Sequence, residues 1–600
     1  MSYEQYSAPG LCFLIEPCCK TRIFAPEYFS DEHLQMAKEI GRFIENDVNP
    51  VMDDIEEKKE GVLIGLLKKA GELGFLAIDV PEKYEGMGMD KAMSMLATEV
   101  MVPAGSFAVA VLTHVGIGTL PIVYFGTEEQ KRKYLPGLAS GALLGCYALT
   151  EAGSGSDALG AKAKAVLDPS GKFYTLSGEK MFITNSGFAD LCMVFAKVGG
   201  DKFTAFIVET KTPGFSTGAE EHKMGILGSS TRSVILEDCK VPVENVLGEL
   251  GKGHKVAFNI LNVGRFKLGA GCVGGAKEVL KVSATYANER VQFKRPISSF
   301  GAIREKVAFM AARIYAAESM TYRLAGLMDS AIERIDPSAP GAVEKIIAAI
   351  EEYAIEQSIM KVYGSEAGDD IVDEGVQIHG GYGYIREYFV ERAYRDSRVN
   401  RIFEGTNEIN RLLIPGTMLR RMMKGKFPMG DILGRIDEIA GDGSKMPVSG
   451  SRVLADECTM VDRAKLGAVF AVNLANTQHM MDLTEHKKGQ TQMAMLMAAN
   501  LIMEIYAADS SLARTVQLLE ERGEAAARIP LLLARAVLAD SLGKVRSIGE
   551  ELIVNVSGEK DLEKNLGIFG RFVSVPRWKT HDIKEQIAAH FIARERYVLE

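Results

Sequence analysis

The spacing of apolar and polar residues changes three times along the chain. In the first stretch, from residue 30 to about 144, apolar positions recur with helical period. The helix-start sequence Ser30-Asp31-Glu32 leads into Leu34, Ile40, Phe43 and Ile44, and Pro50, Pro81, Pro103 and Pro136 punctuate the region. From 147 to about 246 the pattern shortens to runs of β-formers, at 173–176, 192–198, 203–208 and 233–236. Turn material separates them: Asp168-Pro-Ser-Gly, Ser177-Gly, Gly199-Gly-Asp and Thr212-Pro-Gly. Helical period returns from about 254 to 424, opened by Phe258, Ile260, Leu261, Leu268 and Val273 and continued by long amphipathic stretches at 303–328 and 342–363. The segment 431–451 collects Gly434, Gly441, Gly443, Pro447 and Gly450 and reads as a linker. Beyond it, 461–600 is helical again and rich in Ala, Leu and Met.

These changes predict a multidomain α+β fold. An N-terminal arm covers 1–28 and an N-terminal helical bundle 29–145. A central antiparallel β-barrel or sandwich covers 146–248, and a C-terminal four-helix bundle 249–428. A linker over 429–455 leads to an extra C-terminal helical domain over 456–600. No fixed-period repeat is found.

Composition narrows the classes. A chain of 600 residues exceeds one compact core, and 47% apolar with 25% charged residues is an ordinary soluble globular balance. The net charge is −9, with no long basic run, which argues against nucleic acid as a partner; small anionic ligands need only local donors. Eight cysteines, Cys12, Cys18, Cys19, Cys146, Cys192, Cys239, Cys272 and Cys458, form no CxxC and stand near no histidines at zinc-like spacing. A disulfide framework or structural zinc is not expected, and buried thiols in a cytoplasmic protein are. Glu4 and a short apolar run at 11–15, with no basic stretch, give no secretory signal. Two uncharged stretches, 101–127 and 489–503, read as buried helices. The first is broken by Pro103, Gly105, Gly116, Gly118 and Pro121. The second falls short of the roughly 18 residues of a span and carries Gln490, Gln492 and Asn500.

Candidate chemistry lies in three islands dense in Gly, Ser and Thr beside aromatics. The first, Tyr147-Ala-Leu-Thr-Glu-Ala-Gly-Ser-Gly-Ser-Asp157, offers backbone N–H and hydroxyl donors to an anionic or heteroaromatic ligand; a plain surface turn fits it as well. The second, Met181-Phe-Ile-Thr-Asn-Ser-Gly187, joins an aromatic wall to Thr184 and Asn185, and equally suits an ordinary strand end. The third is Val376-Gln-Ile-His-Gly-Gly-Tyr-Gly-Tyr384, with Glu404-Gly-Thr-Asn-Glu-Ile-Asn-Arg411 after it. Gly380 and Gly381 permit close backbone approach to a phosphate, although no βαβ pattern makes them a dinucleotide fingerprint. Glu404 precedes a glycine at a helix start, flanked by Ile402 and Phe403. An apolar setting there would raise its pKa toward that of a general base, whereas an isolated glutamate is commonly a solvated surface residue.

In this order and spacing the islands resemble the acyl-coenzyme A dehydrogenase family, over about 29–424 nearly without gaps. The family's Tyr-x-x-Thr-Glu-x-Gly-x-Gly-Ser-Asp segment matches 147–157, and its Trp-Ile-Thr-Asn stands here as Phe182-Ile-Thr-Asn185. Its Glu-Arg-x-x-Phe is Glu289-Arg290-Val-Gln-Phe293, its Gln-Ile-x-Gly-Gly-x-Gly is 377–383, and its Arg-Asp and Glu-Gly-Thr are Arg395-Asp396 and Glu404-Gly405-Thr406.

The resemblance implies FAD bound between the β domain and the C-terminal bundle. Tyr147, Thr150, Ser156, Phe182, Thr184, Thr406 and Glu408 would contact it, and Arg290, Gln292, Gln377, Gly380 and Gly381 would reach toward the FAD of a neighbouring subunit. Asn262, Arg265, Gly405 and Ser156 would lie near the substrate, the Asn-x-Gly-Arg sequence being typical of the very-long-chain branch. Glu404 would be the catalytic base that takes the α-proton of an acyl-CoA, giving trans-2-enoyl-CoA, with electrons passing to an electron-transferring flavoprotein. In some branches the base sits instead on the helix holding Gly264-Arg265-Phe266-Lys267, but no carboxylate occurs from 256 to 276 here. Phe182 in place of tryptophan keeps the aromatic wall and loses an N–H donor, and Ala152 replaces a common proline. The extra C-terminal domain resembles that of the very-long-chain branch and implies a homodimer. Part of it binds membrane in some relatives; here 501–508 and 531–538 look like core stripes, so peripheral membrane contact is the less favoured reading. A catalytically quiet assembly or scaffold protein and an acyl-CoA oxidase are the alternatives.

Overall fold

A computed structural model describes residues 2–337, 339–483 and 489–600. In the N-terminal bundle, Ser30 caps the helix Asp31–Phe43: its hydroxyl accepts from the His33 N–H at 3.3 Å, and His33 Nδ1 accepts from the Ser30 N–H at 3.2 Å. Thr127 and Gln130 cap Glu128–Ala139 in the same way. The apolar stretch forms Ser106–Leu112 and Leu120–Phe125 around a wide helical turn at Thr113–Thr119. The segment Ser106–Phe125 is long and apolar enough to cross a membrane, yet 83% of its apolar window is inside the protein, so it is a core helix. Buried His114 stitches this helix to the next domain: Nδ1 accepts from the Gly145 N–H at 3.0 Å and Nε2 donates to the Leu138 carbonyl at 2.9 Å.

The middle domain has eight strands: β1 (Gly145–Ala148), β2 (Lys164–Leu167), β3 (Phe173–Thr184), β4 (Leu191–Val198), β5 (Lys202–Glu209), β6 (Phe215–Glu220), β7 (Thr231–Pro242) and β8 (Val246–Leu247). Their order is β6-β7-β3-β2-β4-β5-β8, with β1 added on β4. Most ladders are antiparallel, as the turn spacing predicts. Two are not: β1 and β2 both run parallel to β4, with Cys146 opposite Cys192 and Lys164 opposite Lys197. These strands are joined by long connections rather than tight hairpins, and only hairpins force antiparallel pairing. The register of β3 on β7 slips between Lys180 and Ile183, and this irregularity gives Phe182 a φ of 59° and turns its ring outward, 60% exposed.

The C-terminal bundle packs Gly253–Glu289, Gly301–Glu333, Ala354–His379 and Asn407–Met423. The first and third cross closely through glycine, since a Cβ at Gly364 would lie 3.0 Å from the Gly269 Cα. Beyond lie Ala455–Leu483, Gly489–Val556 (kinked at Gly523, φ 76°), Leu562–Phe572 and Thr580–Arg594. Residues 484–488 of the expected helical region lie outside the described residues. The 501–508 and 531–538 stripes are core, with Leu501, Ile505, Leu533 and Leu538 fully buried.

The expected linker is in its first half a helix, Met429–Gly441, which buries Met429, Ile432, Ile436 and Ile439. Its glycines mask an i, i+4 apolar stripe; a Cβ at Gly430, Gly434 or Gly441 would meet nothing, so they lie on the open face. The N-terminal arm packs into the core through Tyr6, Phe13 and Phe24. It is sewn to the last domain by reciprocal bonds between Ile23 and Gln517 (2.7 and 3.0 Å) and by Arg514, which pairs with Glu27 at 2.7 Å and Glu318 at 2.6 Å.

Candidate active site

Glu404 and Gly405 both have positive φ, 59° and 82°. A glutamate in this region is strained and persists only when held. Buried Arg265 donates from Nε to the Glu404 carbonyl at 3.1 Å and from Nη1 to Asn262 Oδ1 at 2.9 Å. Asn410 Nδ2 donates to the carbonyls of Gly405 at 2.9 Å and Thr406 at 3.1 Å. The Thr406 hydroxyl accepts from the Ile409 N–H at 3.3 Å and caps Asn407–Met423, the helix start expected from the sequence.

The Glu404 carboxylate lies on the Gly253–Glu289 helix, and only a glycine leaves it room: a Cβ at Gly264 would stand 2.6 Å from Oε2. That oxygen is fully buried and has no hydrogen-bond partner among the described residues. Burial pushes the carboxyl up to about 7, against the charges of Arg265 and Lys361. The desolvating wall is therefore this helix and not Ile402, which is 52% exposed. Burial in turn lowers Arg265 to about 10 and Lys361 to about 8. The Tyr147 hydroxyl is also buried without a partner, and burial, then the Glu404 charge, push its pKa well up. Tyr147, Asn262 and Arg265 are thus buried beside a half-buried Glu404-Gly405 whose Oε2 is dry.

The β-domain residues form an adjoining wall. The Met181 N–H donates to the Thr150 carbonyl at 2.9 Å, so the first two islands lie edge to edge. A buried pair, Lys180 with Glu151 at 2.7 Å, anchors the loop, and Glu151 also accepts from the Lys162 N–H at 2.6 Å and the Ala163 N–H at 3.0 Å. Beyond this anchor Gly153, Gly155 and Ser156 are exposed, and a Cβ at either glycine would meet open space. Thr184, half-buried, pairs with Thr231. Asn185 faces away from this wall: it is buried, and its Nδ2 donates to the Ala110 carbonyl at 2.8 Å.

A second locus lies around a cavity of about 590 Å³ lined by Arg290, Gln292, Gly380, Gly381, His379 and Tyr382. Gly380 ends its helix at φ 59°, and the Arg290 guanidinium stands 5.3 Å from the Tyr382 ring centre. Gln377 is exposed on the last turn and does not line the cavity; Glu408 is exposed on the first turn of Asn407–Met423.

Profiles of three domains match in order: acyl-CoA dehydrogenase N-terminal domain over 30–142, middle domain over 146–239 and C-terminal domain over 251–419. The chain belongs to the acyl-CoA dehydrogenase family. It is 47% identical to a probable acyl-CoA dehydrogenase of Bacillus subtilis, across 98% of both chains. It is 37% identical to the mitochondrial very long-chain specific acyl-CoA dehydrogenase of Rattus norvegicus, over 76% of this chain and 67% of that one. The crystal structure of an acyl-CoA dehydrogenase complexed with FAD from Bacillus anthracis superposes with a TM-score of 0.94 at 45% identity, covering 99% of this chain and 100% of that one. The protein is a flavin-dependent oxidoreductase, and its cofactor is FAD. The residues present suit that group. They offer an exposed aromatic face at Phe182, an open glycine loop, unpartnered buried oxygens on Tyr147 and Glu404, and a guanidinium beside exposed glycines at the second locus.

Three neighbours of Glu404 escape motif reading. Gly264 enters the sequence reading inside Asn-x-Gly-Arg and as a position without a carboxylate, with no role in seating Glu404. Asn410 lies inside the third island with no motif role of its own. Lys361 is fully buried with Nζ 2.6 Å from Asn407 Oδ1, and its one signal is a lysine inside the apolar run Ile359-Met-Lys-Val-Tyr363.

Proposed function

We propose that the protein dehydrogenates an acyl-CoA thioester to the trans-2-enoyl-CoA, with Glu404 as the base that takes the α-proton. The carrying observation is the Glu404 Oε2 atom, dry, unpartnered and held near pH 7 by burial. A base needs a pKa near the working pH and a lone pair not already engaged, and this carboxylate has both. FAD, when bound, supplies the two-electron acceptor for the β-hydrogen. The chain supplies the rest. Arg265 and Asn410 hold the strained 404–405 turn, so the carboxylate needs no reorganisation when substrate arrives. The Glu404 N–H is the donor this chain offers the thioester carbonyl; losing one such donor costs roughly 3–4 kcal/mol. Burial of Oε2 against Gly264 keeps water from that oxygen, which strengthens its interaction with the α-proton.

Identity to the very long-chain specific relative supports a long acyl chain. The packing of Gly489–Val556 on the C-terminal bundle, through Arg411 Nε to Asn500 Oδ1 at 2.7 Å and Tyr315 to Thr515 at 2.7 Å, supports a homodimer, because these helices cover a face that a larger assembly would use. The Arg290–Gly381 locus would then meet the partner's FAD. An electron-transferring flavoprotein is the proposed acceptor, and eight unpaired thiols support a cytoplasmic location.

Anaerobic addition of acyl-CoAs of graded length to the yellow protein tests the reaction. Flavin bleaching with enoyl-CoA formation is expected; no bleaching with any chain length, branched acyl groups included, overturns it. Peroxide formation in air, compared with dye reduction, separates a dehydrogenase from an oxidase.

A further inference from the structure

Sequence spacing shows no metal signature, because two thiols stand at 18 and 19 and a third at 458. Folding brings them together. The Sγ atoms of Cys18 and Cys19 lie 3.4 Å apart, those of Cys19 and Cys458 3.8 Å apart, and all three fall within 4.8 Å of one another. Three thiolates on one ion, with metal–sulfur bonds of about 2.3 Å, place their sulfurs about 3.8–4.0 Å apart, from tetrahedral to trigonal geometry. Two observed edges, 3.4 and 3.8 Å, with the third within 4.8 Å, lie near that value. Cys18 and Cys458 are buried and Cys19 is half-buried, which leaves one side open for an ion to approach.

The surroundings hold the triangle in place from both sides. The Cys18 N–H donates to Asp462 Oδ1 at 2.6 Å. Lys465 Nζ lies 3.4 Å from the same carboxylate oxygen and 2.6 Å from Asp509, and donates to the Glu16 carbonyl at 2.8 Å. The arm is thus fixed to the helix Ala455–Leu483 at Glu16 and the Cys18 N–H, before the thiols, and to Gly489–Val556 at Ile23 through Gln517, after them. A disulfide would use two sulfurs and strand the third; an ion uses all three.

We propose that Cys18, Cys19 and Cys458 form a binding site for one thiophilic d10 cation, zinc(II) or copper(I), which clips the N-terminal arm to the extra helical domain. Binding forms three metal–sulfur bonds, breaks three S–H bonds and releases three protons to solvent, with no change of oxidation state. Preference for soft metals follows from an all-sulfur donor set. The clip joins positions far apart in sequence, so it stabilises the folded arm without touching the flavin locus.

The test uses the full-length FAD-loaded protein, fully reduced and free of chelator. Zinc(II) alone, and in a separate anaerobic arm copper(I) alone, is added, and metal retained after gel filtration is measured by elemental analysis alongside thermal melting. About one equivalent of one of these ions is expected, with a raised melting temperature and unchanged flavin bleaching. Cys458→Ser and Cys19→Ser should each weaken retention by about tenfold or more, the loss seen even for outer partners of a metal site. Cys12→Ser, which alters a buried arm thiol outside the cluster, should retain the ion. Flavin content reports folding; if Cys458→Ser fails to fold, half-exposed Cys19→Ser decides. No ion retained by the reduced wild type, equal retention by Cys19→Ser, or a Cys19–Cys458 disulfide in the non-reducing peptide map of metal-free protein overturns the proposal.

Discussion

Two buried carboxylates lie along the Gly253–Glu289 helix and face opposite fates. Asp79, with a side chain only 3% exposed, receives Lys91 at 2.8 Å, Lys267 at 2.7 Å and the Ser94 hydroxyl at 2.7 Å. The two lysines overcome its burial and hold it well below the usual carboxylate range. Glu404, against Gly264 three residues earlier on that helix than Lys267, has no partner on Oε2 and is pushed the other way. Burial alone does not make a carboxylate reactive. Burial with its lone pairs saturated gives a structural strut, and burial with one oxygen left free gives a group that can take a proton.

The sharpest way to break this contrast is to neutralise each carboxylate in turn. Glu404→Gln should bind FAD and acyl-CoA yet bleach the flavin at least about 10³-fold more slowly, as loss of an essential base requires. Asp79→Asn should leave the bleaching rate of the folded protein within about tenfold, measured by the same anaerobic mixing. A slow Asp79→Asn with a fast Glu404→Gln would reverse the assignment.

Stability should divide the pair in the opposite sense. Asp79→Asn leaves Lys91 and Lys267 buried without a counter-charge and should cost about 3–5 kcal/mol in urea unfolding. Glu404→Gln should do the reverse above neutral pH. The Glu404 carboxyl rises from 4.5 to about 7 on folding, so the folded chain holds a proton that the unfolded chain has lost. Its contribution is fully present below pH 4.5 and is lost as pH climbs through about 7. Removing the group should therefore stabilise the protein at pH 8 by up to about 3 kcal/mol, at roughly 1.4 kcal/mol per pKa unit, and do nothing at pH 4.

The two carboxylates also show what sequence reading reaches. Glu404 is legible only through the family resemblance, which its contiguous Glu-Gly-Thr motif helps to carry; alone, a glutamate there reads as readily as a solvated surface residue. Asp79 is not legible, since its partners come from residues 91, 94 and 267. The same reasoning separates the domains. Turn residues between β-formers reveal the middle domain, but the parallel pairing of β1 and β2 with β4 depends on long connections that carry no local signal. Glycines in 430–441 read as a linker because the apolar stripe of Ile432, Ile436 and Ile439 is sparse. Phe182 is recognisable as an aromatic in an island, whereas its outward turn comes from a register slip against β7 that only pairing creates. The three sulfurs at 18, 19 and 458 are the extreme case, since sequence separation hides the contact completely.

The pH dependence of turnover follows from the free oxygen. Only the carboxylate form of Glu404 takes a proton, so kcat/KM should fall on the acid side with a limb near pH 7. No limb at that position belongs to Asp79, which is ionised throughout the range. A profile flat from pH 5.5 to 8 (roughly one pH unit or more either side of the limb) would detach the burial of Glu404 from its role.

The smallest effect probes how finely the free carboxylate is tuned. Lys361 lies behind it, fully buried, with Nζ on Asn407 Oδ1 at 2.6 Å, and its charge is one of two that pull Glu404 down against burial. Lys361→Met keeps an unbranched side chain one atom shorter and removes the cation. With Arg265 alone opposing desolvation, the acid limb of kcat/KM should move up by a fraction of a pH unit, while the plateau rate at high pH changes little, because the ionised base is the same base. Lys361→Arg should restore the limb. A merely structural lysine would lower the plateau or the melting temperature and leave the limb in place, so the position of the limb is the readout that separates the two roles. The size of the shift also reports how dry the site is: in a water-filled pocket a charge behind the carboxylate is screened, and in a closed one it is felt.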